Sequence, residues 1–194
     1  MVILLVIATI LSVIGTTDYV LSIVRGKTKP HRTTRFVLLI VSAVNLVGSF
    51  AANAQMGIIL LAFLFLARSL LLALLSIKYG VGGTSKLDIT SAVIALLGIV
   101  AWQITDNGIW ALVFSILADA WGYVPAIVKT WKAPSTEASL LYWLEGVAAI
   151  LAIIHDGLVL PVIFQAYVVL SCVAMLICIY RPKFGKSHLA DAGV

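Results

Sequence analysis

Charge is what this chain of 194 residues has least of: only 11% of them are Asp, Glu, Lys or Arg. A water-soluble domain carries about 25%. With 62% hydrophobic residues and a mean hydropathy of +1.15, there is too little polar surface to clothe a globule in water. Lipid is the expected solvent for most of the chain. Cysteine is scarce as well. Cys172 and Cys178 lie six apart in one apolar segment, where two residues of one helix do not reach each other, and no CxxC or Cys/His cluster exists. They read as small packing residues, which excludes a disulfide framework. HExxH, GxSxG and metal-ligand spacings are also missing, so no enzyme, cofactor or metal is expected. The opening Met-Val-Ile-Leu-Leu lacks a positive region and no clear small-residue cleavage site follows, so the first apolar run reads as a retained helix.

Long apolar runs are what the chain does have. A spanning helix needs about 20 mostly apolar residues, and such runs lie at roughly 2–24, 36–54, 56–77, 89–105, 108–129, 138–155 and 159–180. Helix is the expected conformation, because lipid offers backbone groups no partners and the runs are too long for barrel strands. The connectors Asn53-Ala54-Gln55, Thr105-Asp106-Asn107 and His155-Asp156-Gly157 are short, so the helices they join are antiparallel. A retinal protein would share the helix number but needs a lysine on the last span, and 159–180 has none.

The net charge of +5 does not indicate nucleic acid, because the cations collect at span edges. Arg25, Lys27, Lys29, Arg32 and Arg35 follow the first span, Lys78 and Lys86 the third, Lys129 and Lys132 the fifth, and Arg181, Lys183 and Lys186 the seventh. Twelve of thirteen cations therefore share one side, and the thirteenth, Arg68, is inside a span. The basic side is cytoplasmic, which puts the N-terminus outside and the C-terminus inside.

The chain also repeats itself. Shifted by 104, Tyr19-Val20-Leu21-Ser22-Ile23-Val24-Arg25 falls on Tyr123-Val124-Pro125-Ala126-Ile127-Val128-Lys129, and Pro30 falls on Pro134 in the next basic loop. The offset carries spans one to three onto five to seven and leaves span four unpaired. Two directly fused three-helix units would point in opposite directions, and one linker helix restores a parallel pair. The expected fold is an all-α membrane protein of seven transmembrane helices in a 3+1+3 parallel-repeat arrangement. The first repeat covers 1–80, the linker helix 81–106, the second repeat 107–182 and a cytoplasmic tail 183–194.

This layout, with Gly122-Tyr-Val-Pro-Ala-Ile-Val-Lys-Thr-Trp-Lys-Ala-Pro-Ser-Thr-Glu-Ala-Ser139, resembles the PQ-loop and SWEET superfamily of small-solute transporters. The loop Arg25-Gly-Lys-Thr-Lys-Pro-His-Arg32 is similar to that of small prokaryotic members. The superfamily carries a Pro-Gln dipeptide near the cytoplasmic end of the first helix of each repeat; here those positions read Leu21-Ser22 and Pro125-Ala126. The resemblance implies a SWEET-like fold in a prokaryotic cytoplasmic membrane, transport of a small-molecule solute, and a hinge carried over to Pro125 alone.

Ionisable groups inside a bilayer cost at least about 2.5–3.5 kcal/mol each at its centre, so they face protein or water. At about 1.5 Å per residue, Asp119 and Arg68, each ten residues from a cytoplasmic lysine, lie about 15 Å deep. Glu145 and Asp18 are about 10 Å in, and Asn45 is near the midplane. The expected solute or proton pathway comprises Asp119, Glu145, Arg68, Asp18 and Asn45, converging where parallel-repeat carriers bind substrate. Three carboxylates against one guanidinium leave two uncompensated, which suggests a bound proton and proton coupling at Asp119 or Glu145. The alternative is a static Arg68–carboxylate pair. Tyr123, one turn after Asp119, and Trp121 are placed to touch a solute, as is Trp143, although packing roles compete.

Trp110, Trp131 and Tyr180 read as interfacial anchors, Gln103 and Asn53 as polar groups near the outer ends, and His31 and His155 as solvated. Pro161 lies near the outer end of span seven. Gly15, Ala43, Gly48 and Gly146 permit close helix packing. The basic loops suit anionic lipid headgroups at about 1 kcal/mol per cation, although topology alone accounts for them. A homo-oligomer is among the assemblies this composition allows. The leading expectation is a transporter or facilitator working by alternating access. The competing one is a non-transporting membrane factor, handling lipid or an assembly, that retains the fold.

Overall fold

The computed structural model describes residues 2–51, 56–105, 108–156 and 162–191, with most of their side chains. Asn53 and Pro161 lie outside the described residues, as do the surroundings of Gly48 and the side chains of Trp110, Lys183 and Lys186. The described chain is all-helical: α1 (Val2–Val24), α2 (Arg32–Ala51), α3 (Met56–Tyr79), α4 (Lys86–Gln103), α5 (Gly108–Lys132), α6 (Leu140–Asp156) and α7 (Val162–Asp191). One short 3-10 turn, Pro134–Thr136, precedes α6. No strand occurs among the described residues. A single bridge joins His31 to Val81.

Local chemistry explains where the helices stop and start. α1 ends in a Schellman motif: Gly26, at φ 73°, donates its amide to Ile23 O and Lys27 donates to Ser22 O. α4 begins with a capping box. Ser85 Oγ accepts from the Asp88 amide at 3.1 Å while Asp88 Oδ2 accepts from the Ser85 amide at 3.0 Å. α5 continues through Pro125, whose missing N–H and fixed φ disturb a helix interior.

The chain divides into two compact units. Unit 1 holds Met1–Thr28 and Ile127–Val194; unit 2 holds Lys29–Ala126. In unit 1, α1 packs on α6 and α6 on α7. The buried stripe of α1 is Ala8, Gly15, Tyr19 and Ile23, at helical spacing. A Cβ on Gly15 would stand 3.3 Å from Leu144 Cβ, so the two backbones approach closely. In unit 2, α2 packs on α3 and α4. Val37 and Val41 of α2, Ala95 and Ile99 of α4 and Ala118 of α5 form one apolar cluster. A Cβ on Gly122 of α5 would lie 2.5 Å from Val37 Cγ1.

Under the 104-residue offset, α1 corresponds to α5, α2 to α6 and α3 to α7. Each compact unit therefore cuts across the division expected from the offset, joining the first helix of one expected repeat to the second and third of the other.

Polarity is distributed against the usual rule for water, in which Ser, Thr, Asp and Glu lie mostly outside. Ser42, Ser76, Ser91 and Thr130 are fully buried, whereas Ile3, Val47, Leu97 and Leu170 are 72%, 65%, 62% and 68% exposed. Two stretches, Ile3–Val24 and Ile163–Arg181, are long and apolar enough to cross a membrane, and only 11% and 17% of their residues are buried. Leu140–His155 is a shorter apolar helix.

Candidate functional site

The residues expected to line a pathway fall in both units. In unit 1, Glu145 on α6 is half-buried and accepts a hydrogen bond from Ser12 Oγ on α1 at 2.8 Å. Asp18 is half-buried on α1. In unit 2, Asp119 is buried on α5, Tyr123 is half-buried one turn on, and Trp121 is exposed. Arg68 on α3 is half-buried with its guanidinium 5.4 Å from the centre of the Phe65 ring. Asn45 on α2 is exposed. Pro125 is fully buried within α5, two residues before the chain passes from unit 2 into unit 1.

Two polar clusters carry more of the hydrogen bonding than any of these. The first centres on Glu137, in the segment between α5 and α6. Tyr19 of α1 donates to Glu137 Oε1 at 2.5 Å, and Tyr142 of α6 donates to the same oxygen at 2.9 Å. Lys129 of α5 pairs with Oε2 and also donates to Thr136 O at 3.3 Å. The cluster is buried: Tyr19 is 0% exposed and the Glu137 and Lys129 side chains are 2% and 9% exposed. A buried carboxylate is tolerable when an opposite charge and hydrogen-bond donors surround it, and Glu137 has both. The arrangement locks the end of α1 to the α5–α6 connection.

The second cluster lies in unit 2, where the segments on either side of α2 and α3 meet. Arg32 donates its amide to Val81 O and Val81 donates to Pro30 O, both at 3.0 Å. The Arg32 guanidinium reaches the last turn of α3, donating to Ser76 O and Ile77 O at 3.2 and 3.3 Å, where a helix leaves carbonyls unsatisfied. His31 stands 3.3 Å from Asp88 Oδ1 through its Nε2. A Cβ on Gly82, at φ 75°, would lie 2.1 Å from that Nε2, so the loop lies flat on the imidazole.

The glycine-rich loop before α4 has the form of a phosphate cradle, but the protein's own carboxylate fills it. Asp88 Oδ2 accepts from the Gly83 amide, the Ser85 amide and the Ser85 hydroxyl at 2.9, 3.0 and 2.8 Å. Burial pushes the Asp88 carboxyl up, and those donors together with His31 outweigh it and hold it below the usual carboxylate range.

His31, expected to be solvated, is 8% exposed and paired, because the Val81–Gly83 loop folds over it. The sequence motif that contains Glu137 implies no role for it. Its partner Tyr19 is 118 residues away, and no local pattern signals that pairing. The Ser85–Asp88 capping box, in contrast, is a legible local signature. At the predicted interface, Trp131 is exposed and carries the Arg181 guanidinium 3.8 Å above its ring. Tyr180 donates to Ser139 Oγ at 3.0 Å.

Among the described residues, no group of three or more His, Cys, Asp or Glu is placed to hold a metal ion. Comparison with protein-family models, curated proteins and solved structures finds no match in any of the three.

Proposed function

We propose that the chain is a multi-pass membrane carrier for a small polar solute, working by alternating access and coupled to protons through Asp119 or Glu145. The observation that carries this reading is the placement of carboxylates inside apolar helices of both compact units. Asp119 is buried in α5, and Glu145 faces Ser12 across the α1–α6 seam. Such groups are costly in lipid and mark solute or ion pathways when they occur.

Pro125, buried inside α5, supports a hinge there. The chain passes between the two units at two places, Thr28–Lys29 and Ala126–Ile127, and each adjoins a proline, Pro30 and Pro125. Hinges are a few residues at element ends that absorb a change of backbone angle, and a proline already lacking a helix hydrogen bond is a low-cost place for one. The membrane assignment draws on the exposed aliphatic surface, the two membrane-long helices and the one-sided cations. The 104-residue offset in the sequence supports the 3+1+3 repeat, and the resemblance to PQ-loop and SWEET proteins is part of the same proposal.

The test is a thermal-shift panel of sugars, amino acids, vitamins and nucleosides on purified protein at pH 5.5 and 7.5. A ligand at 100 times its dissociation constant stabilises by about 2.7 kcal/mol. The expected result is a hit whose affinity changes with pH and loses that dependence in the Asp119→Asn, Glu145→Gln double variant. A blank panel with folded protein defeats the carrier reading in favour of a non-transporting membrane factor.

A further inference from the structure

Asp88 is the carboxylate that the structure places against His31, and the other charged groups on the neighbouring described segments are cations. On its own segment, Lys29 is exposed, Arg32 is spent on the α3 carbonyls, and Arg35 is buried one turn further along α2. From α3, Lys78 stands 5.1 Å from the centre of the Tyr79 ring. The Val81–Ser85 loop brings no ionisable side chain. From α4 come exposed Lys86 and the buried carboxylate of Asp88. That carboxylate commits Oδ2 to the loop and helix cap and presents Oδ1 to the imidazole.

A neutral imidazole offers Oδ1 a hydrogen bond but leaves the carboxylate's charge uncompensated. An imidazolium offers the hydrogen bond and the opposite charge together, neutralising a carboxylate that is only 3% exposed. Histidine is the side chain whose charge changes near neutral pH. By contrast, the Glu137 cluster, built from Lys, Glu and Tyr, has no member that ordinarily titrates there.

We propose that His31 and Asp88 form a proton-operated fastener that ties the start of α4 to the start of α2 and the end of α3, tightening as the pH falls through neutrality. By the distribution of cations, this end of unit 2 faces the cytoplasm, so the fastener reads cytoplasmic acidity. What it fastens is α4, the helix without a counterpart in the 104-residue repeat. The proposal goes beyond the carrier reading and does not require a transported solute.

The experiment uses the full chain in lipid nanodiscs, free of added ligand. Hydrogen–deuterium exchange of the first turns of α4 is measured at pH 6 and 8 and corrected for intrinsic chemical exchange. Protection at pH 6 is expected to exceed that at pH 8 by about five- to tenfold, the added strength of a hydrogen bond between two opposite charges over one with a single charged partner. His31→Gln is expected to abolish the difference. Exchange at the imidazole C2–H of His31 in the unsubstituted protein supplies a second readout that needs no variant to fold. A titration between pH 6 and 8 that moves to lower pH in Asp88→Asn supports the fastener. Equal protection at the two pH values, a pH effect that persists in His31→Gln, or a His31 that does not titrate between pH 5 and 9 overturns it. A blank ligand panel leaves these readouts untouched, so the two proposals fail separately.

Discussion

Glu137→Gln is the most informative single substitution in this protein. It keeps the shape of the side chain, removes the charge, and leaves the Lys129 ammonium buried without its counter-ion. Breaking a buried pair from one side costs about 3–5 kcal/mol. The amide carbonyl still accepts from one phenol, so the lower end, about 3 kcal/mol, is the better expectation. For a chain of this size each kcal/mol moves the melting temperature by about 2–4 °C, which gives a drop of about 6–12 °C. Tyr19→Phe removes one donor to a charged acceptor, worth about 1.5–3 kcal/mol, or about 3–12 °C. The two effects must not add. Once Glu137 is neutral, the Tyr19 hydroxyl faces an ordinary acceptor, so the double variant should be less damaged than the sum by about 0.5–3 kcal/mol. Thermal unfolding of the four proteins in one detergent, followed by tryptophan fluorescence and by loss of the monodisperse peak, measures the cycle. Additivity within about 0.5 kcal/mol would show that the phenol and the carboxylate are neighbours without being partners.

Two further outcomes follow from the geometry. Gly122→Ala places a methyl 2.5 Å from Val37 Cγ1 and Gly15→Ala places one 3.3 Å from Leu144 Cβ; overpacking of the first kind costs about 1–3 kcal/mol, so melting temperatures should rank Gly122→Ala below Gly15→Ala. Asp88 has a lowered carboxyl pKa, so its contribution to stability is complete above the ordinary value of about 3.9 and is lost as the pH falls through the lower, folded-state value. Asp88→Asn should therefore flatten the acid limb of the stability profile below about pH 4, measured by acid titration of the same fluorescence signal.

The helices were legible because apolar length decides them, and α1 was placed to the residue. Their ends were less so. α2 begins at Arg32, four residues before the expected apolar start, since Arg32 finds its partners on α3 and not in solvent. α7 continues past the expected span to Asp191, into what reads from sequence as a tail. Depth along a helix can be counted from a sequence, and that count is what singles out Asp119 and Glu145. Which face a residue takes depends on what packs there: Asp119 is buried and Asn45 exposed. The Glu137 and His31 clusters were invisible for a different reason: each depends on contacts between segments far apart in sequence, and a buried histidine differs from a solvated one only through what folds over it.

The division into units also fixes an order of assembly. Unit 2 is one continuous stretch of chain, Lys29–Ala126, set into the middle of unit 1. α1 is made ahead of α6, and the Glu145 that Ser12 binds is 133 residues behind it. At about 5–20 residues per second, that interval is roughly 7–27 s. During it α1 has neither α6 nor the Glu137 connection to cover its Ser12–Gly15–Tyr19 stripe, while unit 2 can already close on itself. α1 is thus made well before the surface that covers its polar stripe, and stays uncovered there until α6 arrives.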